Sequence, residues 1–374
     1  MDAVDHDEDA DVWNVHRHAD AVRVLTDTAT FSSDIRHFLP PADYATSFNN
    51  KGNFLLMDPP EHRRLRGLVN QAFTPKLVAG LAGRIREVTV RLLDATDGAR
   101  RFDLVEDLAV PLPVIVIAEV LGLPAQDHRL FRSWAEVLVR YGFESLPSVE
   151  NIAAMDPTLR DMETYLMDRV RQLRAAPGED VISALIAARA DGHALDDTDI
   201  VGFATLLLIG GHVTTTALLG NAVQCFDEHP DAARQLRANP VLLPPAIEEV
   251  MRVRPPFTLS ERITTAAVRL GGAEIPAGAR VDAWIVSANR DPAVFAVPDE
   301  FDIHRNPNPH LGFGRGIHFC LGAPLARLEA EIALRELLTR YRDLTVCRDE
   351  SLTFFPAASN IQAAKSLPVE VVAA

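Results

Sequence analysis

Residues 310–329, HLGFGRGIHFCLGAPLARLE, decide the fold of this 374-residue chain. Three glycines at alternate positions precede a single cysteine, Cys320, and a helical pattern follows from Leu321 to about Leu338. Glycine lets a backbone turn tightly and pass close to a bulky partner. The dipole at a helix start favours negative charge, and the thiolate is the form of cysteine that ligates metal. The stretch therefore predicts a rigidly held thiolate that faces a partner needing close access.

Other roles for Cys320 can be weighed on the residues alone. A buried structural cysteine in a glycine-rich turn is the commonest state of a lone cysteine. Zinc is disfavoured, because zinc sites bring several Cys or His residues at short spacings. A nucleophilic cysteine needs a His base, and His318, two residues away, need not face the sulfur. The glycines do not spell GxGxxG, which disfavours a dinucleotide loop. The structural cysteine and the metal ligand both stay open.

Composition and charge limit the function classes. The net charge of −15 argues against nucleic acid as a partner. The cysteines, Cys225, Cys320 and Cys347, are widely spaced, which indicates no disulfide framework and favours a reducing cytoplasm. The longest apolar run, Val110–Leu121, contains two prolines and Glu119 and is too short to cross a membrane. We therefore expect a cytoplasmic protein without a membrane segment.

The cysteine stretch carries a specific pattern. Six residues match F-G-x-G-x-H-x-C-x-G: Phe313, Gly314, Gly316, His318, Cys320 and Gly322. The stretch resembles the heme-binding signature of the cytochrome P-450 superfamily. The resemblance implies that Cys320 is the axial thiolate ligand of heme b (iron protoporphyrin IX), and that Phe313, Gly314, His318 and Gly322 bind the cofactor. A thiolate ligand pushes electron density onto the iron and favours O–O cleavage.

A second long element is predicted from Asp196 to Glu228. Asp196 can cap a helix start, and Pro230 closes a helix of roughly 50 Å. Two glycines, Gly210 and Gly211, weaken its apolar middle by about 1 kcal/mol each against alanine. A buried central helix with a packing notch would explain them, and so would a helix that something must approach.

The middle of this helix resembles the family's I helix, whose pattern is A/G-G-x-E/D-T. Gly210, Gly211 and Thr214 match it, and Thr214 can bond back to the Gly210 carbonyl. The resemblance implies that Thr214 steers protons during catalysis, and Thr215 follows it in the chain. Val213 departs from the pattern, because a valine at the acidic position cannot relay a proton. We hypothesise that protons pass through the two threonines and ordered water, or that the substrate supplies a polar group.

Basic residues form a further group. In Asp58–Phe73, DPPEHRRLRGLVNQAF, His62 and Arg66 are four residues apart and share a helix face. A solvated basic face is the ordinary explanation of such a pair. The segment resembles the family's C helix, which implies that His62 and Arg66, with Arg262 and His318, bind the heme propionates. Arginine suits carboxylates through paired, charge-assisted hydrogen bonds.

The segment EEVMR contains Glu249-x-x-Arg252, three residues apart on a predicted helix. On its own it predicts a surface salt bridge worth about 1 kcal/mol at most. It also resembles the family's ExxR motif, in which the pair is buried behind the heme. Arg305, in FDIHR, would be the third member of this structural core.

The resemblance also implies a substrate pocket between connecting segments. Its candidate residues are Phe38, Leu39, Phe257, Thr258, Leu259, Asn360 and Ile361. A strand is predicted over Val12–Val15, and a link between two helices over Tyr141–Pro157. One hairpin is predicted over Leu270–Ile285, turning at Pro276–Gly278, and a final hairpin over Pro356–Pro368.

The expected fold is mainly α with small β-sheets, with heme between the central helix and the helix after Cys320. One heme-thiolate monooxygenase domain should cover residues 1–374, with an N-terminus shorter than is usual for the family and the first strands of its sheet largely absent. The implied reaction activates dioxygen with two external electrons and oxidises, most simply hydroxylates, a small organic substrate of secondary metabolism. No flavin segment is visible, so the resemblance implies a ferredoxin and its reductase as partners of a monomer. Arg63, Arg64 and Arg315 would steer an acidic carrier.

Two other activities stay open. A heme-thiolate enzyme can couple or cyclise its substrate or use peroxide, and Val213 is the feature that raises this. A non-catalytic heme-binding or sensor protein is the other possibility, and Thr214 argues against it.

Overall fold

The computed structural model describes residues 2–34, 52–141, 149–189, 194–349, 351–355 and 360–374. The helices are α1 His18–Thr26, α2 Glu61–Ala72, α3 Pro75–Gly80, α4 Ala82–Asp94, α5 Pro111–Val120, α6 His128–Tyr141, α7 Val149–Ala175, α8 Val181–Ala187, α9 Asp197–Glu228, α10 Pro230–Ala238, α11 Leu243–Val253, α12 Ile285–Ala288 and α13 Ala323–Arg340. The predicted fold class, mainly α with small sheets, is confirmed.

The strands are short and lie in four sheets. They are β1 Val4–Asp7, β2 Val12–Val15, β3 Phe31–Ser32, β4 Arg101–Asp103, β5 Leu259–Thr264, β6 Val268–Leu270, β7 Ala273–Ile275, β8 Arg280–Trp284, β9 Tyr341–Val346, β10 Thr353–Phe354, β11 Ala364–Ser366 and β12 Pro368–Ala373. The largest sheet has the order β1-β2-β8-β5-β3, with β2 and β8 parallel. The others are β4-β12-β9, β6-β7 and β10-β11.

Helix α9 is the centre of the helical core. Asp196 caps it, and a reciprocal bond with Asp199 completes a capping box. The helix packs against α5, α7, α11 and α13. It is long and apolar enough to cross a membrane, yet 72% of its most apolar window is buried inside the fold. Its apolar character is therefore that of a core helix. A smaller apolar cluster lies between α1 and the five-stranded sheet.

Two predicted features of the first half were wrong. Strand β1 was expected to be largely absent, because few residues precede Val12. It forms by pairing with β2, and the Asp5 carboxylate accepts one hydrogen bond from Asn14 and contacts His16. The link predicted over Tyr141–Pro157 is helical from Val149, and Pro157 lies inside α7. The helix tolerates the proline because its buried face packs on α9.

Two predicted turns were also displaced. The hairpin of β6 and β7 turns at Gly271–Gly272, where both glycines have positive φ, and not at Pro276–Gly278. Strand β8 instead pairs with β2 and β5. The final hairpin pairs β10 with β11, so it begins before residue 356. The helix after Cys320 begins at Ala323, two residues later than predicted.

Candidate active site

The loop before α13 holds Cys320 in a tight turn. Gly314 and Gly316 both have φ of +71°, a conformation that favours glycine. A Cβ on Gly316 would lie 2.8 Å from the Leu25 carbonyl oxygen, so no side chain fits there. The Cys320 N–H donates to the Phe313 carbonyl at 2.9 Å and closes the loop. The positive φ angles and the close approach of Leu25 explain why the loop needs glycines at these positions.

The thiol of Cys320 lies where opposing effects act on its charge. Burial raises its pKa, while backbone N–H groups of Gly322 and Ala323 and the positive charges of Arg66 and Arg327 oppose that rise. Among the described residues, no group of three or more His, Cys, Asp or Glu side chains is arranged to hold a metal ion. A metal at Cys320 would therefore take its other ligands from a bound group, and its charge would favour the thiolate.

Four basic side chains, those of His62, Arg66, Arg262 and His318, converge beside this loop. The rings of His62 and His318 lie 4.4 Å apart. Arg66 donates to the Phe319 carbonyl at 2.8 Å, and Arg262 donates to the Ser260 hydroxyl at 3.0 Å. Neither arginine forms an ion pair with a carboxylate of the described residues within 4.0 Å. Arg262 is buried and Arg66 is half-buried, so the charge of each guanidinium lacks an ion-pair partner among the described residues.

The electrostatics of this cluster indicate an anionic ligand. Burial lowers the pKa of His318 to about 3, and the charges of Arg262, His62 and Arg66 add to the effect. Burial also lowers the pKa of Arg262 to about 10. The Nε2 atom of His62 is buried without a hydrogen-bond partner among the described residues. An anion placed among these groups would relieve their mutual repulsion, so the cluster fits the carboxylates of a heme.

Supporting contacts behind this cluster were not anticipated from the sequence. The Ser33 hydroxyl lies 2.9 Å from His318 Nε2, and the Ser33 N–H donates to Asp58 at 3.0 Å. Ser32 donates to the other Asp58 oxygen at 2.5 Å. These polar residues lie far from His318 in the chain, so no local pattern could pair them.

The middle of α9 presents one open face. A Cβ on Gly210 would meet no described atom within 4 Å, whereas one on Gly211 would lie 3.2 Å from Ile117. The Thr214 hydroxyl donates to the Gly210 carbonyl at 2.8 Å, as its spacing suggested. Thr215 is buried and donates to Gly211 at 3.3 Å. Thr214 is therefore the more accessible hydroxyl of the two.

Glu249, Arg252 and Arg305 lie together behind the cysteine loop. Arg252 donates twice to the Glu249 carboxylate at 2.8 Å, and Arg305 donates to it at 3.1 Å. Asn289 connects the group to the loop, because its Oδ1 accepts from the Leu311 N–H at 2.8 Å. A Cβ on Gly312 would lie 2.7 Å from the Met251 carbonyl, so α11 packs directly on the loop.

A second ion-pair group next to it was missed in the sequence. Glu248 accepts two hydrogen bonds from Arg327, at 2.7 and 2.8 Å, and lies 3.0 Å from His310 Nε2. Burial alone would raise the pKa of Glu248, but these bonds outweigh it and hold the pKa at about 2. The Arg327 guanidinium lies 4.3 Å from the centre of the Phe313 ring. Only the adjacency of Glu248 to Glu249 hinted at this group.

The candidate pocket residues fall into two sets. Phe257 forms an antiparallel bridge with Ile361, and the Thr258 N–H donates to the Asn360 carbonyl at 2.9 Å. Leu259 and Ile361 are buried, whereas Phe257 is 36% exposed. The structure therefore brings these two segments together. Phe38 and Leu39 lie outside the described residues.

Comparison with known proteins is consistent with this geometry. A family model described as cytochrome P450 matches residues 160–362. Erythromycin C-12 hydroxylase of Saccharopolyspora erythraea is 46% identical over 344 residues, covering 91% of this chain and 84% of the relative. Cyclomarin C epoxidase CymV of Salinispora arenicola is 43% identical, covering 90% of this chain and 85% of that protein. The solved structure of HmtT, involved in himastatin biosynthesis, superposes with a TM-score of 0.92 at 42% identity, covering 98% of this chain and 94% of that chain.

Proposed function

The chain belongs to the cytochrome P450 family and is a heme-thiolate monooxygenase, and from that premise we propose that Cys320 is its axial ligand and that it oxidises an apolar product of secondary metabolism. One observation carries the assignment of the site: a half-buried thiol, two histidines, and two arginines without an ion-pair partner among the described residues converge beside one glycine-rich loop. We propose a single domain for the whole chain.

His62, Arg66, Arg262 and His318 would hold the propionates of heme b, while Phe313, Gly314 and Gly322 shape the loop around the sulfur. Gly322 lies beside the sulfur, since a Cβ added there would be 3.9 Å from Cys320 Sγ. Bound heme supplies the iron at which dioxygen is activated with two external electrons. Glu249, Arg252 and Arg305 would keep the loop rigid from behind.

Thr214 would take part in proton delivery from the open face of α9. Its hydroxyl hydrogen engages the Gly210 carbonyl, which leaves its oxygen oriented to accept a hydrogen bond from water. Thr215 would extend the route further into the helix. Because Val213 cannot relay protons, Val213→Asp should raise the fraction of NADPH electrons recovered in product. An unchanged or lower fraction would contradict this route.

Electrons would come from a separate carrier, a ferredoxin with its reductase. Arg63, Arg64 and Arg315 are exposed and form no ion pair with described residues, so they can meet an acidic partner. Replacing all three with glutamine should weaken ferredoxin binding, and the weakening should disappear at high salt. We propose that the enzyme acts in the cytoplasm as a monomer.

The substrate would be an apolar organic scaffold, most simply hydroxylated with one oxygen atom of dioxygen while the other leaves as water. The apolar wall of Phe257, Leu259 and Ile361 supports this class. The relatives named above include a hydroxylase of erythromycin and an epoxidase of cyclomarin C. We propose the same broad class of reaction for this chain.

The absorption spectrum of the dithionite-reduced protein with carbon monoxide tests the site. The parent should show the strongly red-shifted Soret band of an intact heme-thiolate, and Cys320→His should show the band of ordinary heme. Cys347→Ser, at a cysteine outside the loop, is the matched control and should keep the parent band. Absence of the shifted band in the parent would refute the assignment of Cys320.

A further inference from the structure

One side of α9 carries three buried residues at spacings of four: Val213, Ala217 and Asn221. Residues at this spacing lie on one helix face. Val213 and Ala217 form a small apolar cluster with Ile361 and Ala363. Asn221 continues the same face one turn further on.

The Asn221 side-chain amide joins two distant segments. Its Nδ2 donates to the Arg254 carbonyl at 3.0 Å and to the Gln362 carbonyl at 2.8 Å. Both amide hydrogens are thus used, and the side chain is 2% exposed. Arg254 follows the last residue of α11, so this bond ties α9 to the end of the helix that carries Glu249.

The two acceptors flank the segments that form the proposed substrate wall: Arg254 precedes Phe257, and Gln362 follows Ile361. The Gln362 N–H donates to the Pro256 carbonyl at 2.9 Å, and the Thr258 N–H donates to the Asn360 carbonyl at 2.9 Å. Phe257 and Ile361 pair between these two bonds. The wall is therefore a short pair of bridged segments, held to α9 by the Asn221 amide and by the apolar cluster.

We infer that Asn221 is a positioning residue that sets the distance of this wall from α9 and so selects which bulky ligands fit. The inference rests on the proposed function, because it takes the wall to face the substrate. Asn221 need not touch the ligand. Without its two donors, the Arg254 and Gln362 carbonyls lose their partner and the wall can shift relative to the open face at Gly210.

The test compares Asn221→Leu, which is nearly isosteric but lacks donors, and Asn221→Ala with the control Gln224→Leu. Gln224 is a buried amide on the same helix, but among the described residues its side chain donates only to Gly220 of α9. Spectral titrations use imidazole, which needs only the iron, and clotrimazole, a bulky azole that must contact the walls. Hydrogen exchange of peptides covering residues 254–259 and 360–364 reports the contact independently of heme.

In either Asn221 variant we expect the Kd for clotrimazole to rise about tenfold while the Kd for imidazole changes less than twofold. Hydrogen exchange in both peptides should become faster. Gln224→Leu should change neither dissociation constant and neither exchange rate. Equal effects on both azoles, or unchanged exchange, would overturn the inference. Loss of heme from both Asn221 variants but not from Gln224→Leu would also overturn it, because Asn221 would then be a core residue. A parent without azole-induced spectral shifts would instead refute the proposed function.

Discussion

The Glu249 carboxylate and the Arg252 guanidinium are joined by two hydrogen bonds of 2.8 Å on α11, and neither side chain is exposed to solvent. Three further donors complete the shell of Glu249: the Asp302 N–H, Arg305 and Asn308. A fully hydrogen-bonded pair offsets the cost of burying its two charges, whereas one charged side chain left without its partner does not.

Glu249→Gln should therefore destabilise the fold by about 3–5 kcal/mol, because Arg252 and Arg305 would lose their carboxylate. The cysteine loop packs on the same helix, so we expect purified variant with little heme. The ratio of heme to protein, measured as the pyridine hemochrome, checks this. Asp168→Asn, which removes an exposed pair with Arg171, is the control. Full heme loading of Glu249→Gln would show that the pair does not support the loop.

Local patterns predicted the parts of the site that short-range chemistry governs. The glycines before Cys320 and the cap at Asp196 each answer a local backbone requirement. Pro157 was misread, because its position inside α7 depends on packing against a helix dozens of residues away. The two bonds of Asn221 were likewise invisible, since its acceptors are more than 30 residues away in sequence. Long-range partners set these features, and no local pattern specifies them.

Val213→Asp should lower the stability of the enzyme even if it improves proton delivery. Val213 is buried in the apolar cluster with Ala217, Ile361 and Ala363, so a carboxyl there would lack polar partners from that cluster. A cost of about 2 kcal/mol or more is expected. Thermal unfolding of the heme-loaded protein measures it, with Val213→Ile as the apolar control. A melting temperature equal to that of the parent would contradict the burial of this position.

His212 should make the fold sensitive to acid. Its side chain is 4% exposed and lies among Ile117, Trp134 and Leu208, and burial lowers its pKa to about 4. Since an unfolded histidine titrates near 6.5, its contribution is intact above that pH and is lost as the pH falls toward 4. The loss amounts to about 3 kcal/mol. Urea unfolding of the parent and of His212→Phe at several pH values measures it.

The difference in unfolding free energy between pH 7 and pH 4.5 should be smaller in His212→Phe than in the parent. Met162→Leu changes the same cavity without altering a titratable group, and should keep the pH dependence of the parent. If His212→Phe and the parent lost stability equally on acidification, the histidine would not be the sensitive group.

Glu329 should make the fold less stable as the pH rises, which is the opposite of the effect of His212. It lies on α13 with 1% exposure, its Oε2 has no partner among the described residues, and burial raises its pKa well above the usual value. The folded protein therefore keeps a proton that the unfolded chain releases near pH 4.5, so stability falls as the pH rises above that value. Each pH unit costs about 1.4 kcal/mol until the folded pKa is passed.

Glu329→Gln keeps the shape of the side chain without the charge. Its gain in unfolding free energy over the parent, measured by urea unfolding, should be near zero at pH 4 and grow toward pH 7.5. Glu331→Gln, at a half-exposed pair with Arg335, should stay within about 0.5 kcal/mol of the parent throughout. A gain for Glu329→Gln that did not change with pH would mean that the carboxyl is charged in the fold, and that a cation or bound water compensates it.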